Sequence, residues 1–144
     1  MNEGVLERLI KQYLELGFPL SVFIWQGGEP TLCGLEFFKK AVELEKRYAR
    51  PEQVIGNAFQ TNGILIDENW AEFFAQNNFL VGLSLDGPEQ VHNFYRKTSS
   101  GKGSFDRVWR AVEILRKKQV EFSILCMVTK NSASKAGELY KFFK

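Results

Sequence analysis

Two kinds of hydrophobic periodicity alternate along the chain, and this alternation limits the possible folds more than any other feature. Short apolar runs typical of strands occupy residues 20–25, 53–60, 79–85 and 120–129. Apolar residues at helical spacing lie before, between and after these runs. Because no two runs are close enough to form a hairpin, the strands must run parallel and be joined by helices. The sequence therefore predicts an α/β structure with about four parallel strands.

Local signals indicate where the predicted helices begin and end. The first helix should stop before Gly17, and the second should begin after Gly34 and end before Pro51, whose ring disfavours helix at the preceding residue. Asp67 and Ser104 are expected to cap two further helices by accepting a hydrogen bond from a free amide in the first turn. A last helix should begin at residue 136, and residues 87–103 should form a long loop.

The composition is that of an ordinary globular domain, with 44% hydrophobic, 14% aromatic and 25% charged residues. Nineteen Lys and Arg against 17 Asp and Glu are interspersed, which is not the charge pattern of a nucleic-acid-binding protein. No apolar run approaches the roughly 18 residues of a membrane span. The N-terminus carries Glu3 and Glu7 where a secretory signal needs positive charge. We therefore expect a cytoplasmic protein with no membrane partner.

The two cysteines limit the metal and redox chemistry of the chain. Cys33 and Cys126 lie far apart, and neither has a second cysteine nearby. This spacing excludes a structural zinc site or a CxxC redox pair within the chain. A disulfide is possible on spacing alone, but two reduced thiols are expected in a reducing compartment.

Polar and small residues follow every predicted strand. These junctions lie at residues 25–31, 60–63, 84–88 and 129–131. Each one alone is compatible with ordinary turn chemistry, since Asn-Gly and Asp-Gly-Pro are common turn formers. However, the carboxyl ends of parallel strands meet at one edge of the sheet, where α/β proteins bind ligands. Four such junctions together predict the rim of a binding site.

The bend at Gly27 and Gly28 and the carboxylate of Glu29 suggest the chemistry of the ligand. The two glycines allow the backbone to approach a ligand closely, and the carboxylate suits an ammonium group. Arg96 is a candidate to grip a carboxylate with two parallel hydrogen bonds, although it could equally lie in a solvated loop beside Lys97. The chain contains neither GxGxxG nor GxxxxGK[ST]. An amino-acid-like ligand therefore fits better than a nucleotide alone.

With these motifs in order along the chain, the sequence resembles the radical S-adenosylmethionine (SAM) enzymes, and in particular the anaerobic sulfatase-maturating enzymes. The resemblance rests on WQGGEPTL at 25–32, QTNG at 60–63, SLDGP at 84–88, Arg96, and GKGSFD at 101–106. It implies a partial (β/α) barrel, similar to a TIM barrel, that holds SAM against a [4Fe–4S] cluster. Cleavage of SAM would yield a 5′-deoxyadenosyl radical, which in the maturases starts the oxidation of a sulfatase cysteine or serine to formylglycine.

The resemblance also implies roles for individual residues. Carried over by position, seven residues would bind SAM. The SAM amino group would contact Gly27, Gly28 and Glu29, and its carboxylate would contact Ser84 and Arg96. Thr61 and Asn62 would line the pocket. Gln26 would face the substrate peptide, which in the family is a sulfatase polypeptide.

The sequence also departs from the family pattern. The family binds its cluster with three cysteines in a CxxxCxxC loop, and no such motif is present here. Residues 1–144 therefore resemble the central part of a radical SAM core domain, without the cluster-binding first strand and loop and without the C-terminal auxiliary-cluster region. We expect no metal ligands and no catalytic residue within the chain, and no radical chemistry from it alone.

Other functions remain open at this point, and so do the roles of several residues. The alternatives are another radical SAM peptide-modifying enzyme and a non-catalytic module that binds a small ligand. The strand at Val22 to Trp25 is expected to be an exposed apolar edge that promotes self-association. His92 is expected to be a loop-surface or packing residue, and Cys33 an ordinary small thiol. Asp86 is either a functional carboxylate or a turn former.

Overall fold

A computed structural model describes all 144 residues. The chain forms one parallel sheet with helices packed against it. The strands are β1 (Leu20–Trp25), β2 (Val54–Thr61), β3 (Phe79–Ser84) and β4 (Phe122–Leu125). The helices are α1 (Glu3–Glu15), α2 (Leu35–Tyr48), α3 (Glu68–Gln76), α4 (Glu89–Tyr95), α5 (Phe105–Lys117), α6 (Lys130–Ala133) and α7 (Ala136–Phe143), with a 3-10 turn at Pro30–Cys33.

The four strands lie in the order in which they occur along the chain, β1-β2-β3-β4, and every neighbouring pair is parallel. This arrangement confirms the α/β class and the four parallel strands predicted from the alternating periodicities. All four strands therefore point their carboxyl ends to the same edge of the sheet, which we call the carboxyl edge. No helix is long and apolar enough to cross a membrane.

The helices cover one face of the sheet and leave the other open. The covered face carries the main hydrophobic core, in which Phe59, Val81 and Leu83 pack against residues of α2, α3 and α5. A smaller cluster packs Phe23 between α1 and α2. The open face carries side chains that alternate with the buried ones, and its large apolar members are exposed: Leu20, Val22, Ile24, Val54, Leu80 and Leu125.

The edge position of β1 agrees with the sequence-based expectation. β1 pairs only with β2, so its outer backbone groups have no strand partner. Its open-face residues Leu20, Val22 and Ile24 are 59%, 40% and 69% exposed. The strand is thus an exposed apolar edge, and its tendency to self-associate stays a prediction.

The structure corrects several local predictions and confirms one helix cap. Residues 87–103 are not a continuous loop, because they contain α4, a short helix with no apolar periodicity. β4 spans only Phe122–Leu125 instead of 120–129, and the chain after it forms the unpredicted helix α6. Asp67 caps α3 as predicted, accepting from the amides of Asn69 and Trp70. Ser104 stands at the start of α5, but its hydroxyl caps nothing, because it bonds elsewhere.

A chain of buried polar groups lies between α2 and the sheet. The Trp25 indole N–H donates to Asn57 Oδ1 at 2.7 Å, which turns the amide so that its Nδ2 donates to Glu45 Oε2 at 2.8 Å. Glu45 is 3% exposed, and its second oxygen, Oε1, has no protein partner. Desolvation by burial raises the pKa of Glu45 to about 7, against the lowering effects of the Asn57 bond and the nearby Lys46 charge.

Candidate functional site

The residues predicted to form a site lie along the carboxyl edge of the sheet. Gln26 to Glu29 follow β1, Thr61 ends β2 and Asn62 follows it, and Ser84 ends β3. Arg96 follows α4, and its side chain extends to the same edge, where it bonds Asp86. The structure thus brings together the β1 bend, the β2 turn, the end of β3 and the arginine.

The carboxylate of Glu29 joins the end of β1 to the end of β2. Its Oε1 accepts from the Thr31 amide and hydroxyl at 3.1 and 2.7 Å and from the Thr61 hydroxyl at 2.7 Å. Its Oε2 accepts from the Asn62 amide at 2.8 Å. A carboxylate has about four lone-pair sites, and Oε2 uses only one of its two here. Glu29 therefore organises the two loops, and one acceptor site on Oε2 stays free for a donor.

The bend at Gly27 and Gly28 has the backbone geometry that its sequence predicts. Their φ angles are 121° and 55°, in the region that glycine adopts without strain. A Cβ added to either residue would have no atom within 4 Å, so both peptides border open space. Gln26, beside them, is exposed. The bend can therefore present backbone groups directly to a ligand at the carboxyl edge.

A side-chain bond joins the ends of β2 and β3. Gln60 Nε2 donates to Ser84 Oγ at 3.2 Å. The Gln60 amide lies across Gly82, so a Cβ added there would have to displace the end of the Gln60 side chain. The Ser84 hydroxyl keeps its own hydrogen for another acceptor. Gln60 was not among the predicted site residues, although its place before Thr61 in a strand-end motif was a usable signal.

Asp86 and Arg96 form a bidentate ion pair just beyond the end of β3. Arg96 Nε donates to Asp86 Oδ2 at 2.6 Å, and Nη2 donates to Oδ1 at 3.1 Å. The Met127 amide, just after β4, also donates to Oδ1, at 2.9 Å. The Asp86 side chain is 8% exposed and that of Arg96 is 28% exposed. Arg96 is thus held in place by this pair instead of moving freely in a solvated loop.

His92 is a buried packing residue that orders the loop holding Arg96. It is 0% exposed. Its Nδ1 accepts from the Asp86 amide at 3.3 Å, and its Nε2 lies 3.0 Å from Ser104 Oγ. Burial, together with the Arg96 charge, lowers the pKa of His92 despite the opposing effect of Asp86. Because Nδ1 accepts from the Asp86 amide, the ring carries its proton on Nε2.

One groove lies away from the carboxyl edge. It has a volume of about 790 Å³ and lies between α2 and α3, with Leu35, Val42 and Phe73 among its lining residues. None of the predicted site residues lines it. The candidate site is instead an open edge formed by loops and strand ends.

The whole chain matches the model of the radical SAM superfamily over residues 1–143. The chain therefore belongs to the radical SAM superfamily.

Individual relatives give a narrower comparison than the superfamily model. The chain is 49% identical over 144 residues to a cysteine-type anaerobic sulfatase-maturating enzyme of Clostridium perfringens, a match that covers 100% of this chain and 39% of the relative. It is 42% identical over 145 residues to a serine-type anaerobic sulfatase-maturating enzyme of Bacteroides thetaiotaomicron, which covers 100% of this chain and 35% of the relative. The chain thus spans less than two fifths of the length of these relatives.

A solved structure agrees with this placement. Native anSMEcpe with bound AdoMet, which is SAM, matches with a TM-score of 0.97 and 48% identity, covering 99% of this chain and 39% of that one. The same protein, also with a bound Cp18Cys peptide, matches equally well. The fold of this chain is therefore the TIM-like fold of these structures.

The superfamily implies two cofactors, SAM and a [4Fe–4S] cluster, and the residues of this chain fit only the first. The open cradle at Gly27 and Gly28 and the ordered Arg96 suit the amino-acid end of SAM. No group of three His, Cys, Asp or Glu side chains could hold a metal ion, and Cys33 and Cys126 are free thiols. Because a cluster needs three ligands, this chain does not supply its binding set.

Proposed function

We propose that this chain is the SAM-binding part of an anaerobic sulfatase-maturating enzyme, which oxidises a sulfatase cysteine or serine to formylglycine. The observation that carries the proposal is the TM-score of 0.97, at 48% identity, to a maturase structure with bound AdoMet. Cysteine-type and serine-type enzymes are both similar over the full chain. The proposal is therefore the chemistry that the two types share.

Within this function, the chain binds and orients the amino-acid end of SAM. Gly27 and Gly28 offer backbone groups to the SAM ammonium, and Glu29 Oε2 accepts one of its hydrogens. Ser84 and Arg96 donate to the SAM carboxylate. Contacts within the chain hold Glu29 and Arg96, which limits the side-chain freedom that binding would cost. SAM supplies the radical chemistry when it is bound in the complete enzyme.

The remaining proposed contacts are with the rest of SAM and with the substrate. Thr61 is buried and bonded to Glu29, so it supports the pocket wall instead of reaching into the pocket. The Asn62 side chain accepts from the Ile64 amide at 2.9 Å, which leaves its Nδ2 free to donate to SAM. Gln26 is exposed beside the glycine bend, where a sulfatase peptide can reach it.

A chimeric enzyme tests the function. We would replace the matching segment of the Clostridium perfringens enzyme with residues 1–143, reconstitute the clusters anaerobically and assay a cysteine peptide for formylglycine by mass spectrometry. We expect formylglycine, and we expect Glu29→Ala to reduce the yield at least tenfold. Glu36→Gln, an exposed residue of α2, is the matched control. Cleavage of SAM without formylglycine would favour another radical SAM peptide modification, and failure to bind SAM would contradict the proposal.

We also propose a cytoplasmic location for the parent protein, supported by its two free thiols. Its partner in catalysis would be a sulfatase polypeptide. The isolated chain would self-associate through the apolar edge of β1, because Leu20, Val22 and Ile24 are exposed and this edge has no strand partner. The N–H and carbonyl of Val22 are bonded there by the Tyr13 hydroxyl alone.

A further inference from the structure

The arginine proposed to bind the SAM carboxylate is held at both ends by residues that have no assigned role. Asp86 holds the guanidinium through two bonds, and it is itself fixed by the Met127 amide. Three donors therefore point at the two oxygens of a nearly buried carboxylate. Such a charge-assisted fork fixes direction as well as distance.

The backbone of Arg96 is held from the other side. Ser104 Oγ donates to the Arg96 carbonyl at 3.0 Å, and the Ser104 amide donates to it at 3.2 Å. Because Ser104 uses its only hydroxyl hydrogen on this carbonyl, the short contact with His92 requires His92 Nε2 to be the donor. His92 Nδ1 in turn accepts from the Asp86 amide. The backbone of Asp86 and that of Arg96 are thus connected through two side chains.

These bonds leave a defined set of Arg96 donors for a ligand. Nε and one hydrogen of Nη2 are used by Asp86, and Nη1 has no protein partner. The second hydrogen of Nη2 and both hydrogens of Nη1 form the free edge of the guanidinium, which can bind a ligand carboxylate. Ser84, the other proposed carboxylate donor, ends β3 two residues before Asp86.

We propose that Asp86 is a positioning residue that turns the free edge of Arg96 toward the ligand carboxylate, with His92 and Ser104 fixing the Arg96 backbone. This inference rests on the proposed function. We assign Asp86 no ligand contact, because its nearly buried carboxylate faces Arg96 and the Met127 amide. It acts through Arg96 by selecting which of the arginine N–H groups face the site.

The alternative is that Asp86 merely balances the charge of Arg96, and the two roles predict opposite effects. Asp86→Asn removes a negative charge beside the binding site. If Asp86 only balances charge, its loss strengthens the attraction for a carboxylate, and binding improves. If Asp86 positions Arg96, the guanidinium loses its fixed direction, and binding weakens although the local charge is more positive. The sign of the change separates the two roles.

The experiment measures binding of two ligands to the 144-residue chain by NMR titration. S-adenosylhomocysteine carries the amino-acid group, whereas 5′-methylthioadenosine shares its adenosine but has no carboxylate. We expect Asp86→Asn to weaken binding of S-adenosylhomocysteine at least tenfold and to leave 5′-methylthioadenosine unchanged. Asp106→Asn, on an exposed residue in the first turn of α5, makes the same charge change and is expected to alter neither affinity.

Other results would overturn the inference or the function beneath it. Tighter or unchanged binding of S-adenosylhomocysteine by Asp86→Asn would overturn the positioning role alone. Equal affinity of the native chain for both ligands would show that the carboxylate is not recognised, which also overturns the role. If the native chain bound neither ligand, the proposed function would fail, and this inference with it. Should Asp86→Asn not fold, Asp86→Glu serves instead, because it keeps the charge but moves the carboxylate away from the fork with Arg96. A positioning role predicts weaker binding of S-adenosylhomocysteine by this variant, and unchanged binding would overturn it.

Discussion

Replacing Glu45 by Gln should change how the stability of the chain depends on pH. Glu45 is almost fully buried, and its one hydrogen bond is accepted from Asn57, whose amide is oriented by Trp25. Glutamine keeps the size and the acceptor but cannot ionise. The variant therefore mimics the protonated form of the native side chain.

The size of the effect follows from the pKa of Glu45 in the folded and unfolded chains. Burial raises it from the ordinary value of 4.5 to about 7. Below pH 4.5 both states hold the proton, and the native chain has its full stability. As the pH rises to 7, the unfolded chain releases the proton while the folded chain keeps it, so the free energy of unfolding falls. At about 1.4 kcal/mol per pH unit, the total loss is about 3 kcal/mol.

Urea unfolding at several values between pH 4.5 and 8.5 tests this expectation. Glu45→Gln should become more stable relative to the native chain by about 3 kcal/mol across that range, because only the native chain loses stability by ionisation at this residue. Glu36→Gln removes a charge from the exposed face of the same helix and controls for the change in net charge. The free energy of unfolding could instead change equally with pH in the native chain and in Glu45→Gln. The buried carboxyl group would then not have the raised pKa, and the reasoning would be refuted.

Three further predictions concern the carboxyl edge and β1. Gly82→Ala should displace the Gln60 amide and destabilise the chain by about 1–3 kcal/mol in urea, whereas Gly137→Ala, which meets nothing, should not. Glu29→Gln should weaken binding of S-adenosylhomocysteine and lower the free energy of unfolding by about 1–3 kcal/mol, because the amide NH₂ would face a hydrogen-bond donor. An unchanged melting curve would contradict the four hydrogen bonds that the Glu29 carboxylate accepts. Ile24→Lys should reduce self-association in sedimentation, and a native chain that is monomeric at high concentration would contradict the edge prediction.

The alternating periodicities were sufficient to predict the sheet, because strand and helix patterns depend on neighbouring residues. The parallel order follows from the lack of hairpins, and the cap at Asp67 depends only on the two amides that follow it. Helix α4 escaped prediction for the same physical reason. It is only seven residues long, and its buried residues are Val91 and His92, which are adjacent and give no helical period.

Contacts between distant residues were not predictable from local pattern. Ser104 has the residue type of a helix cap, but its hydroxyl is used by the Arg96 carbonyl, eight positions earlier in the chain. Glu29 was assigned from its charge to an ammonium ligand, and no local pattern indicated that Thr61 and Asn62 would bond to it. The residue types at the site were therefore identifiable, whereas the way they hold each other in place was not.

The side-chain bonds at the carboxyl edge follow one rule, which explains how the strand ends hold each other in place. Glu29 joins the end of β1 to that of β2, Gln60 joins β2 to β3, and Asp86 joins β3 to the segment after β4. Each neighbouring pair of strands thus has a polar bond just where its backbone ladder ends. Because the order β1-β2-β3-β4 is sequential, these three bonds span the whole edge. Breaking one should loosen the two loops that it joins and leave the ladder of the sheet intact, so ligand affinity should fall more steeply than stability.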